Sequence, residues 1–150
     1  MQERHLYEYA VIRVVPRVER EEFINVGVIL FSKRADYIKA QYVIDEKKLA
    51  CFSSELDIDA LRENLKAFDH ICRGNSAGTT SCKPDKNYGQ GQRVALGYGN
   101  KDYIASLEVP ERFRWLTAVR SSSIQTSRPH PGFSTDLDTT FERLFKELVL

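Results

Sequence analysis

Cysteine is scarce in this chain and odd in number: Cys51, Cys72 and Cys82. They are too widely spaced for a C-x-x-C pair, so a disulfide framework is not expected and reduced thiols are. Histidine is equally sparse. His5, His70 and His130 make no H-x-x-x-H, and no cysteine lies near His130, so no zinc site is expected. Long apolar runs are missing. The longest, Val26 to Phe31, is far below the ~20 residues that span a bilayer. The opening Met1-Gln2-Glu3-Arg4-His5 has no apolar signal region. A cytoplasmic protein with no membrane partner is the expectation. Charge of one sign is also missing. Lys and Arg number 22 and Asp and Glu 21, a formal net charge of +1. That balance gives no general attraction to nucleic acid or an anionic membrane, although a local patch remains compatible with it.

What is present is ordinary globular composition, with 42% hydrophobic and 29% charged residues among 150. A chain of this size buries about 68–70% of its unfolded surface without a covalent staple. We expect a single domain over residues 1–150, with a loop-rich insertion at about 73–101.

Leu6 to Val15 is rich in Tyr, Val and Ile and ends at Pro16, a strand signal. Both of its faces are mostly apolar, so the strand should be central. The charged stretch Arg17 to Glu22 leads to a second apolar strand, Phe23 to Phe31. Gly27 inside it signals a bulge or a close backbone approach. After the short Lys33-Arg34-Ala35-Asp36 connection, Tyr37 to Ile44 alternates as a half-buried antiparallel strand. The first 44 residues thus read as a three-stranded meander.

Asp57 precedes Ile58, Leu61, Leu65, Phe68 and Cys72, spaced as one face of a helix that Gly74 stops. Cys72 lies two residues from His70, but it falls on this apolar stripe. A buried thiol explains it better than a nucleophile. Arg73 to Lys101 holds six of the eight glycines and reads as a long loop with at most a short strand near Val94 to Leu96. Tyr103 to Val109 reads as another strand. Pro110 suits the first turn of a short helix, with Phe113, Leu116 and Val119 buried. Val119 to Ser127 is a polar extended segment, and Ser127 to Gly132 a turn-rich connector. Leu137, Phe141, Leu144 and Leu148 mark a C-terminal amphipathic helix that Ser134, Thr135 or Asp136 would cap. The expected fold is α+β: a mainly antiparallel sheet, two amphipathic helices packed on it, and the Gly-rich insertion.

Strong chemical motifs are lacking, and no cofactor is expected. Gly89-Gln90-Gly91 and Gly97-Tyr98-Gly99 are G-x-G fragments without the strand, helix and third glycine of a phosphate loop. Tyr88, Arg93, Tyr98 and Lys101 interleave aromatic and basic residues as single-strand nucleic-acid binders do, but sparsely. Arg120-Ser121-Ser122-Ser123-Ile124-Gln125-Thr126-Ser127-Arg128 offers a guanidinium fork, hydroxyls and an amide for an anion. A polar edge strand facing water explains the same residues. Glu22 and Asn25 flank the second strand, where pairing with backbone or with Arg13 is the plainer role. Asp45 and Glu46 read as a solvated connection.

Two segments carry a family resemblance. Tyr9 to Pro16 with Glu22 to Leu30, and Arg112 to Ala118 with Arg120 to Ser127, resemble the signatures of the bacterial family called domain of unknown function 3037. His130, Gly132 and the last helix follow in order. The resemblance implies no activity and no catalytic residues. Its association with kinases similar to the HipA toxin implies a protein partner.

Together these features favour a non-enzymatic binding or accessory module. Its candidate polar or anion-binding site is Arg13, Glu22, Asn25, Arg120, Gln125, Ser127 and His130. One alternative is an enzyme acting on phosphate esters or nucleic acid. There Arg120 would stabilise charge and His130 would serve as acid or base, beside a carboxylate such as Glu22 or Asp136. The other is single-strand nucleic-acid binding through the insertion.

Overall fold

A computed structural model of the chain describes residues 3–74, 101–118 and 122–150. The alternating apolar runs form the strands expected of them. Strand β1 is His5–Val14, β2 is Ile24–Ser32 and β3 is Tyr37–Tyr42. They pair antiparallel as a meander, with β1 central as its two apolar faces require. Two short strands, β4 (Ile124–Thr126) and β5 (His130–Ser134), complete an open antiparallel sheet of five strands. Both pair with β1. β4 runs beside Ile12 to Val14 and β5 beside His5 to Tyr9, end to end along one side of it. The fold is α+β.

Helices cover both sheet faces. One face carries α1 (Glu46–Phe52), α2 (Ile58–Arg73), α3 (Lys101–Ala105) and α4 (Val109–Thr117). Ala10, Ile12, Val14, Ile29 and Phe31 of the sheet pack there against Leu49, Leu65, Phe68 and Phe113. The Phe31 and Phe113 rings stack with centroids 4.8 Å apart. The other face carries α5 (Leu137–Leu148), whose Leu137, Phe141, Leu144 and Phe145 bury against Tyr7, Val28 and Leu30. Successive strand residues point to opposite faces, so β1 and β2 supply both cores at once.

The helix ends follow from sequence. Asp57 caps α2 by accepting the Ala60 N–H at 3.1 Å. Asp136 caps α5 through the Thr139 N–H and hydroxyl, which hold its carboxyl below the usual range. At the other end of α2, Gly74 has φ +72°, a conformation that favours glycine. The buried Arg112 reaches over it from α4 and donates to the Cys72 carbonyl at 2.9 Å, satisfying a carbonyl in the last turn of the helix. Cys72 is itself buried, and burial with Asp69 nearby pushes its thiol up to about 12. It is an interior side chain, as its place on the stripe requires.

Four expectations need correction. Tyr103 to Val109 is not a strand: α3 runs to Ala105 and α4 starts at Val109. Ile104 and Ala105 are neighbours and both buried, which helical backbone allows and alternation does not. The connector from Ser127 becomes strand at His130, because Pro131 sits in β5 at the sheet's edge, where no ladder bond is lost to the missing N–H. Asp45 and Glu46 are exposed, as expected, but they open a helix instead of a plain connection; Asp45 caps α1 through the Lys48 N–H. The carboxylate of Glu46 in turn pairs with Arg62, tying α1 to α2. Finally, in the described part of the Val119 to Ser127 segment, residues 122–127, the strand is confined to β4. The glycine-rich insertion, with its G-x-G fragments, the Val94 to Leu96 strand and Cys82, lies outside the described residues beyond its two ends, as do Val119, Arg120 and Ser121.

Candidate functional site

Arg13 sits near the end of the central strand. Its cross-strand neighbours are Asn25 on β2 and Gln125 on β4. Directly opposed residues share a face. The three therefore form one polar row across three strands, on the α5 side. The pairing of Arg13 with Asn25 depends on a bulge. Ile12 faces Gly27 and Arg13 faces Asn25, so Val26 is an extra residue on β2. The bulge turns Val26 and Ile24 into the α2-side core and leaves Asn25 on the polar row.

The row is only partly satisfied. The Arg13 guanidinium carbon lies 4.0 Å from the centroid of the Phe23 ring, a cation–π contact on an exposed aromatic. Its Nε is buried without a hydrogen-bond partner, and no carboxylate among the described residues pairs with it. Asn25 Nδ2 donates to the Leu148 carbonyl at 3.1 Å, while its Oδ1 is buried and has no partner among the described residues. Gln125 Nε2 donates to the Ser122 carbonyl at 3.1 Å. A planar fork flanked by two amides suits a carboxylate or phosphate.

The other candidates lie elsewhere. Ser127 is buried at the gap between β4 and β5, where the edge of β1 would lose its ladder. Its Oγ accepts the Val11 N–H at 2.9 Å, and its own N–H donates to the Val11 carbonyl at 2.8 Å. Ser127 repairs the sheet. Ser127→Ala should cost about 1–3 kcal/mol, the desolvation of one orphaned backbone donor. Urea melts that shift by less than about 0.5 kcal/mol would contradict that role.

His130 is exposed, its ring centroid 5.3 Å from that of Tyr9. Tyr9 and Arg13 are four residues apart on one strand, roughly 13 Å. His130 therefore does not join the row. Glu22 pairs with Arg20 at 2.9 Å and lines a cavity of about 390 Å³ near the end of α1. Arg17 grips Glu55 beside it with contacts of 2.8–3.1 Å, which raise the Arg17 pKa. The exposed Cys51 also faces this cavity. Glu22, His130 and Asp136 are thus committed to three different places. Arg120 is outside the described residues. Among the described residues, no group of three His, Cys, Asp or Glu side chains is placed to hold a metal ion, and no helix is long and apolar enough to cross a membrane.

Sequence reasoning missed Phe23 as the support of Arg13. The available signal was its spacing: Phe23 and Asn25 are two apart and share a face. It also missed the Arg17–Glu55 grip and the capping role of Arg112, which depend on residues 38 and 40 positions apart and leave no local pattern.

A family model described as "Protein of unknown function (DUF3037)" matches residues 9–149. No curated protein and no solved structure matches.

Proposed function

Because the chain belongs to this family of unknown function, whose description assigns no activity, we propose from the geometry that it is a bacterial cytoplasmic, non-enzymatic binding or accessory module. Its Arg13 receives a carboxylate or phosphate group of a partner protein, with the amides of Asn25 and Gln125 beside it. The observation that carries this reading is the state of Arg13: a half-buried guanidinium laid on an exposed ring, without an anion of its own among the described residues. Cation–π contact is worth about 0.5–1 kcal/mol at exposed sites and leaves the charge in place. A charge-assisted hydrogen bond to an incoming anion adds about 1.5–3 kcal/mol.

Affinity capture with the immobilised protein tests this. Partners identified from a lysate of the source organism should bind wild type roughly ten- to a hundredfold better than Arg13→Gln, by the energy of that bond. Retention should fall as salt rises. Equal capture by both proteins, with matching circular-dichroism melts, would remove Arg13 from the interface.

A further inference from the structure

Two ion pairs stand in the cavity of about 390 Å³ beside the end of α1. The segment after Pro16 supplies Arg17, Arg20 and Glu22 to its lining. The chain leaving α1 supplies Ser53, Ser54 and Glu55. Arg17 ties the two segments together. Its Nε donates to Glu55 Oε2 at 3.1 Å and its Nη2 to Glu55 Oε1 at 2.8 Å, a planar fork on one carboxylate. Arg20 Nη2 donates to Glu22 Oε1 at 2.9 Å. None of these residues belongs to the Arg13 row.

The lining decides what the cavity can hold. Each guanidinium has a carboxylate as its neighbour, so the described side chains add no net charge. A free anion would meet Glu22 and Glu55, and a free cation would meet Arg17 and Arg20. Pro16, Ala50 and Phe52 give a wholly apolar ligand little area to bury. What remains is a set of adjacent donors and acceptors. A guanidinium has more N–H donors, and a carboxylate more acceptor sites, than one contact uses, so each pair keeps unspent groups side by side. A hydroxyl both donates and accepts. It can bridge the two partners of such a pair and leave their charges matched. The Ser53 and Ser54 hydroxyls add groups of the same kind.

We propose that this cavity binds a neutral sugar, a pyranose whose hydroxyls bridge the Arg17–Glu55 and Arg20–Glu22 pairs and whose apolar ring face lies against Phe52. The volume falls within the roughly 300–1,000 Å³ of small-molecule sites. A free hexose and the end of a glycan chain share this chemistry. The site goes beyond the Arg13 reading and shares no residue with its polar row.

The test is an NMR titration of the full chain with D-glucose, D-galactose and D-mannose, followed at the Phe52 and Glu55 amides. We expect at least one to saturate with a Kd of about 1 mM. At saturation it should also slow alkylation of Cys51, the exposed thiol that faces the cavity, as read by peptide mapping. Cyclohexanol, which keeps the ring and one hydroxyl, and inorganic phosphate should each bind at least about tenfold more weakly. The methyl glycoside of the best sugar separates the sources: equal or tighter binding assigns the chain end, and weaker binding the free hexose. Two variants change exposed side chains only. Arg17→Lys keeps the charge and removes the fork, and Glu55→Gln removes the carboxylate. Each should weaken the sugar about tenfold, while Arg13→Gln leaves it unchanged. No saturable shift with any of the three sugars up to about 10 mM, phosphate binding tighter than the best sugar, or binding that both variants leave intact overturns the assignment.

Discussion

Gly27→Ala is expected to destabilise the protein by about 3 kcal/mol or more, with loss of the β2–β3 pairing. Glycine-to-alanine changes in strain-free positions act the other way, adding about 0.4–1 kcal/mol by restricting the unfolded chain. The sign is decided by space. A Cβ on Gly27 would stand 2.4 Å from the Gln41 carbonyl oxygen and 3.0 Å from Tyr42 Cβ. The first is backbone, so no rotamer change relieves it. β3 must move away, or β2 must give up its bulge, and the bulge is what sets Asn25 opposite Arg13. Urea denaturation with amide spectra of Tyr37–Tyr42 reads both effects. A variant as stable as wild type would show that the two strands tolerate a wider spacing.

Phe68→Ala carries the other large effect, about 3–5 kcal/mol. Phe68 is 1% exposed and lies in the cluster where α2 meets the sheet. Removing the ring forfeits its transfer energy and leaves a hole among Leu65, Ile71 and their sheet neighbours, which close packing prevents from collapsing fully. The polar row lies on the opposite face, with α5. Partner capture through Arg13, measured well below the melting temperature, should therefore persist in the variant. A denaturant-derived loss below about 1 kcal/mol would mean that α2 is not core.

How much of this was legible in the sequence depends on the length of each pattern. β1, β2 and β3 show themselves by runs of apolar and β-branched residues, and α2 and α5 by long stripes with an aspartate just before them. α1 is seven residues with one buried side chain, Leu49, and so has no stripe to read. Tyr103, Ile104 and Leu107 have the composition of a strand, and only burial of both Ile104 and Ala105 reveals helix. β5 is hidden by Pro131 and Gly132, whose usual meaning is a turn. Pairing with β1 over more than a hundred intervening residues overrides that local preference.

The polar row was legible in part. Arg13 and Asn25 are on adjacent strands of the meander, so hairpin pairing brings them near, but only the bulge at Val26 sets them opposite each other on one face. Gln125 joins only through β4, a three-residue strand with no periodicity of its own. Ser127 and His130 share the row's chemistry but not its position. A hydroxyl in a polar run looks the same whether it awaits a ligand or closes a gap in a ladder. Only the Val11 amide 2.9 Å away separates the two.

The tandem placement of β4 and β5 along β1 bears on how the molecule is made. During synthesis, residues 5–14 leave the ribosome long before residues 124–134 exist. The hairpins β1–β2 and β2–β3 form from local contacts, but the far side of β1 stays an unpaired edge until the late strands arrive. That edge is flanked by the apolar residues of two unfinished cores and presents free backbone donors and acceptors, the features that recruit a neighbouring nascent chain. Slow translation between residues 44 and 124 would lengthen this interval, and chaperone dependence in the cell should rise with it.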